Sequence, residues 1–377
     1  MLIFNFGHES TLGLYLAYSA IQETQNLNFV GADAKWAKAS HLVPWDPTYP
    51  ALAAEAVLTL LKDVDSDKDT QELSSLATNY FQDAVKAAPN DPWFNQNLAV
   101  LLLDTDAKAA ENYAKKAVRL SPRNYNSYTY YTLGLAFLNQ EKVDQAINAF
   151  VLEGLANPVF LIADVWERSP LLEIKDNVIR KALSSYRKVL SQTNKTSIQY
   201  GWLHDQLTLL SWWYDYPISE KDKEATSPLI HAMIIADNNR HESLALLDQY
   251  VQSQGRSNDL HLVQARLSPE QYLPELLEKI DGTAEEKAQF EKSIRQEEST
   301  RSWLNQVKAS SEAQIRYGGA FAYRNLAANN IQKILYPGEI QTSVLSTSIQ
   351  LFTNAPREYP QLDNYMANIR TEQLQMD

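Results

Sequence analysis

The chain contains no cysteine, which excludes disulfides, thiolate metal sites and cysteine nucleophiles. Glycine is scarce, at 11 in 377 residues, and none falls in a Walker A, GxGxxG or GxSxG pattern. The adjacent pair Gly318 and Gly319 follows no strand signal and reads as a loop or helix break. The six histidines (His8, His41, His204, His231, His241 and His261) include no pair three or four residues apart, so the spacing of a helical zinc site is missing. Lys and Arg, 34 against 46 Asp and Glu, form no long block on a chain of net charge −12. Nucleic acid is therefore not an expected partner, because its non-specific affinity rests on clustered cations, and an anionic lipid face is disfavoured for the same reason.

Long hydrophobic runs are also missing, since no stretch reaches about 18 uninterrupted apolar residues. The apolar start, MLIFNFGHESTLGLYLAYSAIQ, lacks a basic n-region and carries His8 and Glu9 where a signal peptide would have its apolar centre. A soluble chain without direct membrane insertion is the expectation. Its compartment stays open, with the cytoplasm favoured, and no metal or cofactor is expected.

The composition, 45% hydrophobic and 21% charged, is that of a folded protein long enough to bury a large core. Four proline-marked segments recur: AKASHLVPWDP, DAVKAAPNDP, KKAVRLSPRN and VLEGLANPVF, with Pro44, Pro89, Pro122 and Pro158 spaced by 45, 33 and 36 residues. Before each lies a helical face of small and large residues at offsets of four and three: Ala32, Trp36 and Ala39; Ala77, Phe81 and Ala84; Ala110, Ala114 and Ala117; and Ala146 with Phe150. An alanine lets a neighbouring helix approach while an aromatic fills the space beside it, and proline then stops the helix. A preceding helix carries a small residue near its middle, in the pairs Leu98 with Ala99 and Leu133 with Gly134. The excess of the first spacing is assigned to a polar insertion, Asp63 to Leu73.

These units resemble tetratricopeptide repeats, a helix-turn-helix family of period about 34. LGLAF (Leu133 to Phe137), Ala146, Phe150 and Pro158 carry the resemblance most fully, and it covers about residues 11 to 158. It implies an all-α protein, a right-handed α-solenoid whose first helices line a concave groove for a protein or peptide partner. Carried onto this chain, the groove positions include Trp93, Gln96, Asp104, Tyr128, Tyr131 and Asn139. The lysine, arginine and asparagine set that clamps chaperone tails in the family is not present at these positions.

Beyond Pro158 helical patterning continues without the strict period, in NVIRKALSSYRKVLSQ, WLHDQLTLLSWWYD and a hairpin turning at Asp237 to Arg240. The expected organisation is a repeat array over 1–158, divergent helical pairs over 159–310 and a helical or irregular segment over 311–377. TSVLSTSIQLF, from Thr342, reads as a short strand or a helix. SWWYDYP, with Trp212, Trp213, Tyr214 and Tyr216, is either a wide core face or a stacking platform for a sugar or peptide.

The leading functional expectation is a non-enzymatic scaffold for protein–protein interaction. A second resemblance, of NPVFLIADVWERSPL, LLSWWYDYP and AFAYRNL to the soluble repeat-containing tails of bacterial O-antigen polymerase and ligase-like proteins, implies an accessory module. Its partner would be a membrane-bound polysaccharide assembly protein. A helical-repeat enzyme with an unrecognised site is the third reading.

Overall fold

The computed structural model describes residues 2–26, 28–60, 67–123, 128–255, 257–280, 282–296, 298–307 and 352–375, and the regular structure among them is entirely helical. Gly318, Gly319, AFAYRNL and the stretch 342–351 lie outside the described residues. The chain divides into two compact units, one up to Phe150 and one from Val151 onward.

The first unit contains α1 (Leu2–Gln25), α2 (Phe29–Leu42), α3 (Thr48–Leu60), α4 (Asp67–Ala87), α5 (Pro92–Leu102), α6 (Ala107–Leu120), α7 (Thr129–Leu138) and the opening turns of α8 (Val143–Ala156). Consecutive helices form hairpins, α1 with α2, α3 with α4 and α5 with α6. Each hairpin also packs on the next helix: α2 on α3, α4 on α5, α6 on α7. Short polar side chains start the helices where the sequence offers them. Asp91 accepts from the Trp93 N–H at 2.9 Å with Pro92 in the first turn, and Asp106 accepts from the Ala109 N–H at 2.9 Å.

The alanine and aromatic faces form the core. Ala32, Trp36, Ala39, Ala77, Phe81, Ala84, Leu98, Ala99, Ala110, Ala117, Leu133, Ala146 and Phe150 are all buried. Each enclosed aromatic contributes on the order of 1.5–3 kcal/mol of burial. Gly134 faces the Phe150 ring itself, and not a small residue of the facing helix: a Cβ at position 134 would stand 2.2 Å from Phe150 Cε1. The insertion also differs from the sequence expectation, because Asp67 to Leu73 is helix. It lengthens α4 to 21 residues where α2, α6 and α8 have 14, and 61–66 lie outside the described residues.

The second unit runs from the end of α8 through 3₁₀ turns at Pro158–Ile162 and Asp164–Glu167. It continues with α9 (Leu171–Gln192), α10 (Ile198–Trp213), α11 (Glu220–Glu224), α12 (Pro228–Ile235), α13 (Arg240–Gln254), α14 (Asn258–Leu267), α15 (Pro269–Lys279), α16 (Ala284–Arg295), α17 (Thr300–Val307) and α18 (Pro360–Gln373). Here α9 packs on α10, α12 on α13 and α14 on α15. Thr283 and Glu286 close a capping box on α16. The C-terminal segment returns onto α9 and α10. Tyr359 Oη and Thr193 Oγ1 are 2.9 Å apart, Tyr365 donates to Ser185 Oγ at 3.0 Å, and Trp202 Nε1 donates to Thr353 Oγ1 at 3.0 Å.

Two glycines give opposite expectations. Gly134→Ala gains about 1 kcal/mol of helix propensity but drives a methyl into a rigid ring, so it is expected to destabilise the protein by about 1–3 kcal/mol. Gly201, in α10, has nothing within 4 Å of an added Cβ, and Gly201→Ala is expected to stabilise by about 0.5–1 kcal/mol. Urea denaturation of both variants checks the pair, and a Gly134→Ala protein as stable as the parent would remove the close packing assigned to Phe150.

Candidate functional site

α5 carries three consecutive amides, Asn95, Gln96 and Asn97, all buried. Buried amides need partners, and the amide N–H groups of Asn95 and Gln96 find them on neighbouring backbone and on α7. Asn95 Nδ2 donates to the carbonyls of Pro89 at 3.0 Å and Asp91 at 2.7 Å. Gln96 Nε2 donates to Thr132 Oγ1 at 2.6 Å, and Asn139 Nδ2 donates to the Leu103 carbonyl at 2.8 Å. Of the six positions that the family resemblance assigns to a groove, Gln96 and Asn139 thus join α5 to α7.

The two tyrosines are enclosed. Tyr131 is 0% exposed, with its ring centre 5.9 Å from that of Phe150, and Tyr128 is 6% exposed. Tyr131 stands three residues before Gly134, and that offset shares a helix face, which is why it meets the same aromatic. Tyr128 starts α7 with φ 48°, a left-handed conformation rare for a bulky residue. Trp93 is half-buried, while Asp104 and Asn139 are exposed. The Asn139 bond to Leu103 sets Asn139 beside Asp104 at the C-terminal end of α5. Trp93 lies at the other end, about 16 Å away at 1.5 Å per residue.

Next to this edge is a cluster that the sequence reading did not single out. Glu111 on α6 is 3% exposed, and its carboxylate receives Lys115 at 2.8 Å, Lys142 at 2.8 Å, Lys108 at 3.1 Å and Gln140 Nε2 at 3.0 Å. Lys115 and Lys142 also stand over the Phe137 ring, at 5.5 and 5.7 Å. Burial alone raises the Glu111 pKa, but the hydrogen bonds from the three lysines and Gln140 outweigh it and hold the value at about 2. Lys108 and Lys115, three before and four after Glu111, were visible as helical neighbours. Lys142, from the following hairpin, had no local signal.

In the second unit the aromatic run SWWYDYP ends α10, and its side chains part to different partners. Arg301 stands over Trp212 at 5.4 Å, donates to the Trp213 carbonyl at 2.9 Å and grips both carboxylate oxygens of Asp215 at 2.6 and 2.7 Å. Trp213 meets Phe352 edge-on at 6.0 Å, and Tyr214 Oη donates to the Leu161 carbonyl at 2.5 Å. One face of Trp212 is therefore covered by the protein's own guanidinium.

Among the described residues no group of His, Asp and Glu gathers as a metal site, and no single helix is long and apolar enough to cross a membrane. Compared with known proteins, the chain matches no family model and no curated protein.

The Glu111 cluster fixes a pH dependence. The carboxyl titrates at its ordinary 4.5 when unfolded and at about 2 when folded, so it contributes stability above 4.5 that disappears as the pH falls towards about 2. Wild type should exceed Glu111→Gln in urea midpoint near neutral pH, with the gap closing on acidification. A gap unchanged by pH would contradict the depressed value.

Proposed function

We propose that this chain is a non-enzymatic scaffold, in which tetratricopeptide-like hairpins stack as a right-handed solenoid and present an edge to a protein or peptide partner. The observation that carries this reading is the pair of bonds between α5 and α7. Gln96 to Thr132 and Asn139 to Leu103 each join residues 36 apart in sequence, close to the repeat spacing read from the prolines. Residues about one repeat apart in successive hairpins are thus in contact, which supports the reading of stacked repeats.

Recognition in this arrangement falls to side chains that the stacking does not enclose. Asp104 and Asn139, at the C-terminal end of α5, and the half-buried Trp93 at its start are the candidates. Tyr128 and Tyr131 belong to the packing. The polysaccharide-assembly reading has the same form and differs in its partner, a membrane-bound assembly protein.

A photo-crosslinking amino acid at Asp104, with the exposed Asn112 of α6 as control, tests the edge in the native cell. One discrete adduct is expected from position 104 and none from position 112, and Asp104→Lys should reduce co-purification of the same partner. Equal adducts from both positions, or none from 104, would overturn the assignment.

A further inference from the structure

One motif in the second unit is not used by the packing. Asn194-Lys195-Thr196 is the sole N-x-S/T triplet in the sequence, and it forms the connection between α9 and α10. All three residues are exposed. The turn they make is held from both sides. Before it, the buried Thr193 donates to the Val189 carbonyl at 2.8 Å and stands 2.9 Å from Tyr359 Oη. After it, Ser197 caps α10 by accepting from the Tyr200 N–H at 3.2 Å, and its own N–H and hydroxyl both donate to the Asn194 carbonyl, at 3.0 and 2.7 Å.

Inside this frame the Asn194 side chain is preset. Its Oδ1 accepts twice from Thr196, from the backbone N–H at 3.1 Å and from Oγ1 at 3.1 Å. The second of these bonds needs a hydroxyl at position 196, and the bond from the Ser197 N–H leaves no place for proline at 197. Two donors on Oδ1 draw electron density towards that oxygen and make the Nδ2 hydrogens more acidic. Nδ2 itself has no acceptor among the described residues, so both of its hydrogens are open to a reagent.

The surface beside the turn has room. Ile198, four residues on, is 80% exposed, and a Cβ at Gly201, in the following turn of α10, would meet nothing within 4 Å. An isoleucine this open offers apolar ground that the C–H face of a sugar ring can remove from water.

We propose that Asn194 is an N-glycan acceptor. The donor is a sugar carrying a pyrophosphate at C1, linked to a nucleotide or to a lipid and presented by a separate transferase. Nδ2 attacks C1 of that sugar. The N–C1 bond forms, the C1–O bond breaks with its electron pair leaving on the phosphate oxygen, and one Nδ2 proton passes to a base of the transferase. Thr196 acts as a positioning residue, holding the carboxamide through Oδ1. This site goes beyond the scaffold reading and stands or falls without it, because every group lies in the second unit.

Mass spectrometry of the full chain isolated from its native cell, after proteolysis, tests the proposal. The peptide containing Asn194 should carry added sugar mass, and peptides with the other asparagines should not. The added mass reads the donor, one sugar residue for a nucleotide-linked source and a preassembled oligosaccharide for a lipid-linked one. Thr196→Ser should keep the modification, whereas Thr196→Ala should lower the modified fraction at least about tenfold, because a site that hydrogen-bonds a hydroxyl rejects its absence. Produced without the transferase, both variants should melt with the parent. Ser197→Ala removes the α10 cap and leaves the triplet intact, so it should melt lower and still be modified. Asn194 unmodified in the native cell, or an equal modified fraction in Thr196→Ala, would overturn the assignment.

Discussion

The constraint on which the rest of this structure depends is the set of unpaired carbonyls at the helix C-termini. Every α-helix leaves four, and the usual remedy is a glycine in the left-handed conformation just past the last turn. With 11 glycines this chain seldom has one to spare, and among the described glycines only Gly255 takes a positive φ. At three described ends another residue takes that conformation, Gln375 at φ 52° after α18 being one of them. After α10 the Asp215 N–H reaches the Trp212 carbonyl and the Tyr216 N–H reaches Ser211, around Asp215 at φ 58°. After α7 the Glu141 N–H reaches Leu138 and the Lys142 N–H reaches Phe137, around Glu141 at φ 60°. A left-handed L-residue costs about 1–2 kcal/mol. At Asp215 the two-pronged grip of Arg301 offsets it.

Elsewhere, distant side chains supply the missing donors. Arg240 serves the end of α14, Arg266 the end of α16, Asn139 the end of α5, Lys287 the end of α15 and Tyr186 the last turn of α8. Each such bond does two jobs, since it satisfies a carbonyl and ties a helix end to a neighbouring element. A charged donor of this kind is worth about 1.5–3 kcal/mol, and removing it leaves a carbonyl unsatisfied. Arg240 and Arg266 thus serve first to close helices. A guanidinium suits that role because it has five donors in a fixed fork and can hold two or three carbonyls at once.

What was legible in the sequence follows the same division. The helical faces with Ala32, Trp36 and Ala39, or Ala77, Phe81 and Ala84, could be read because packing acts at a fixed local offset. The turn at Asp237 to Arg240 and the Thr283 cap could be read because their signals lie within a few residues. The caps could not, since Arg240 and its carbonyl partners are 26 and 27 residues apart, and Arg301 and Trp213 are 88 apart. No glycine marked those ends. Part of the α4 insertion looked like loop because it is polar, yet a polar stretch at the exposed start of a helix breaks no rule of helix formation.

The candidate edge on α5 and α7 shows why polar residues at family groove positions are ambiguous from sequence. Gln96 and Asn139 are of the type that recognises a peptide backbone, and here both spend a side-chain amide on the adjoining hairpin. A buried amide–hydroxyl bond adds only about 0.5–1.5 kcal/mol, but shifting the hairpins by one residue would leave Gln96 and Thr132 unpaired in the core and cost more than the bond is worth. Such a pair therefore acts on register more than on stability. It holds α5 and α7 at one fixed offset, and with that offset the exposed Asp104 and Asn139 come to lie together at the helix end.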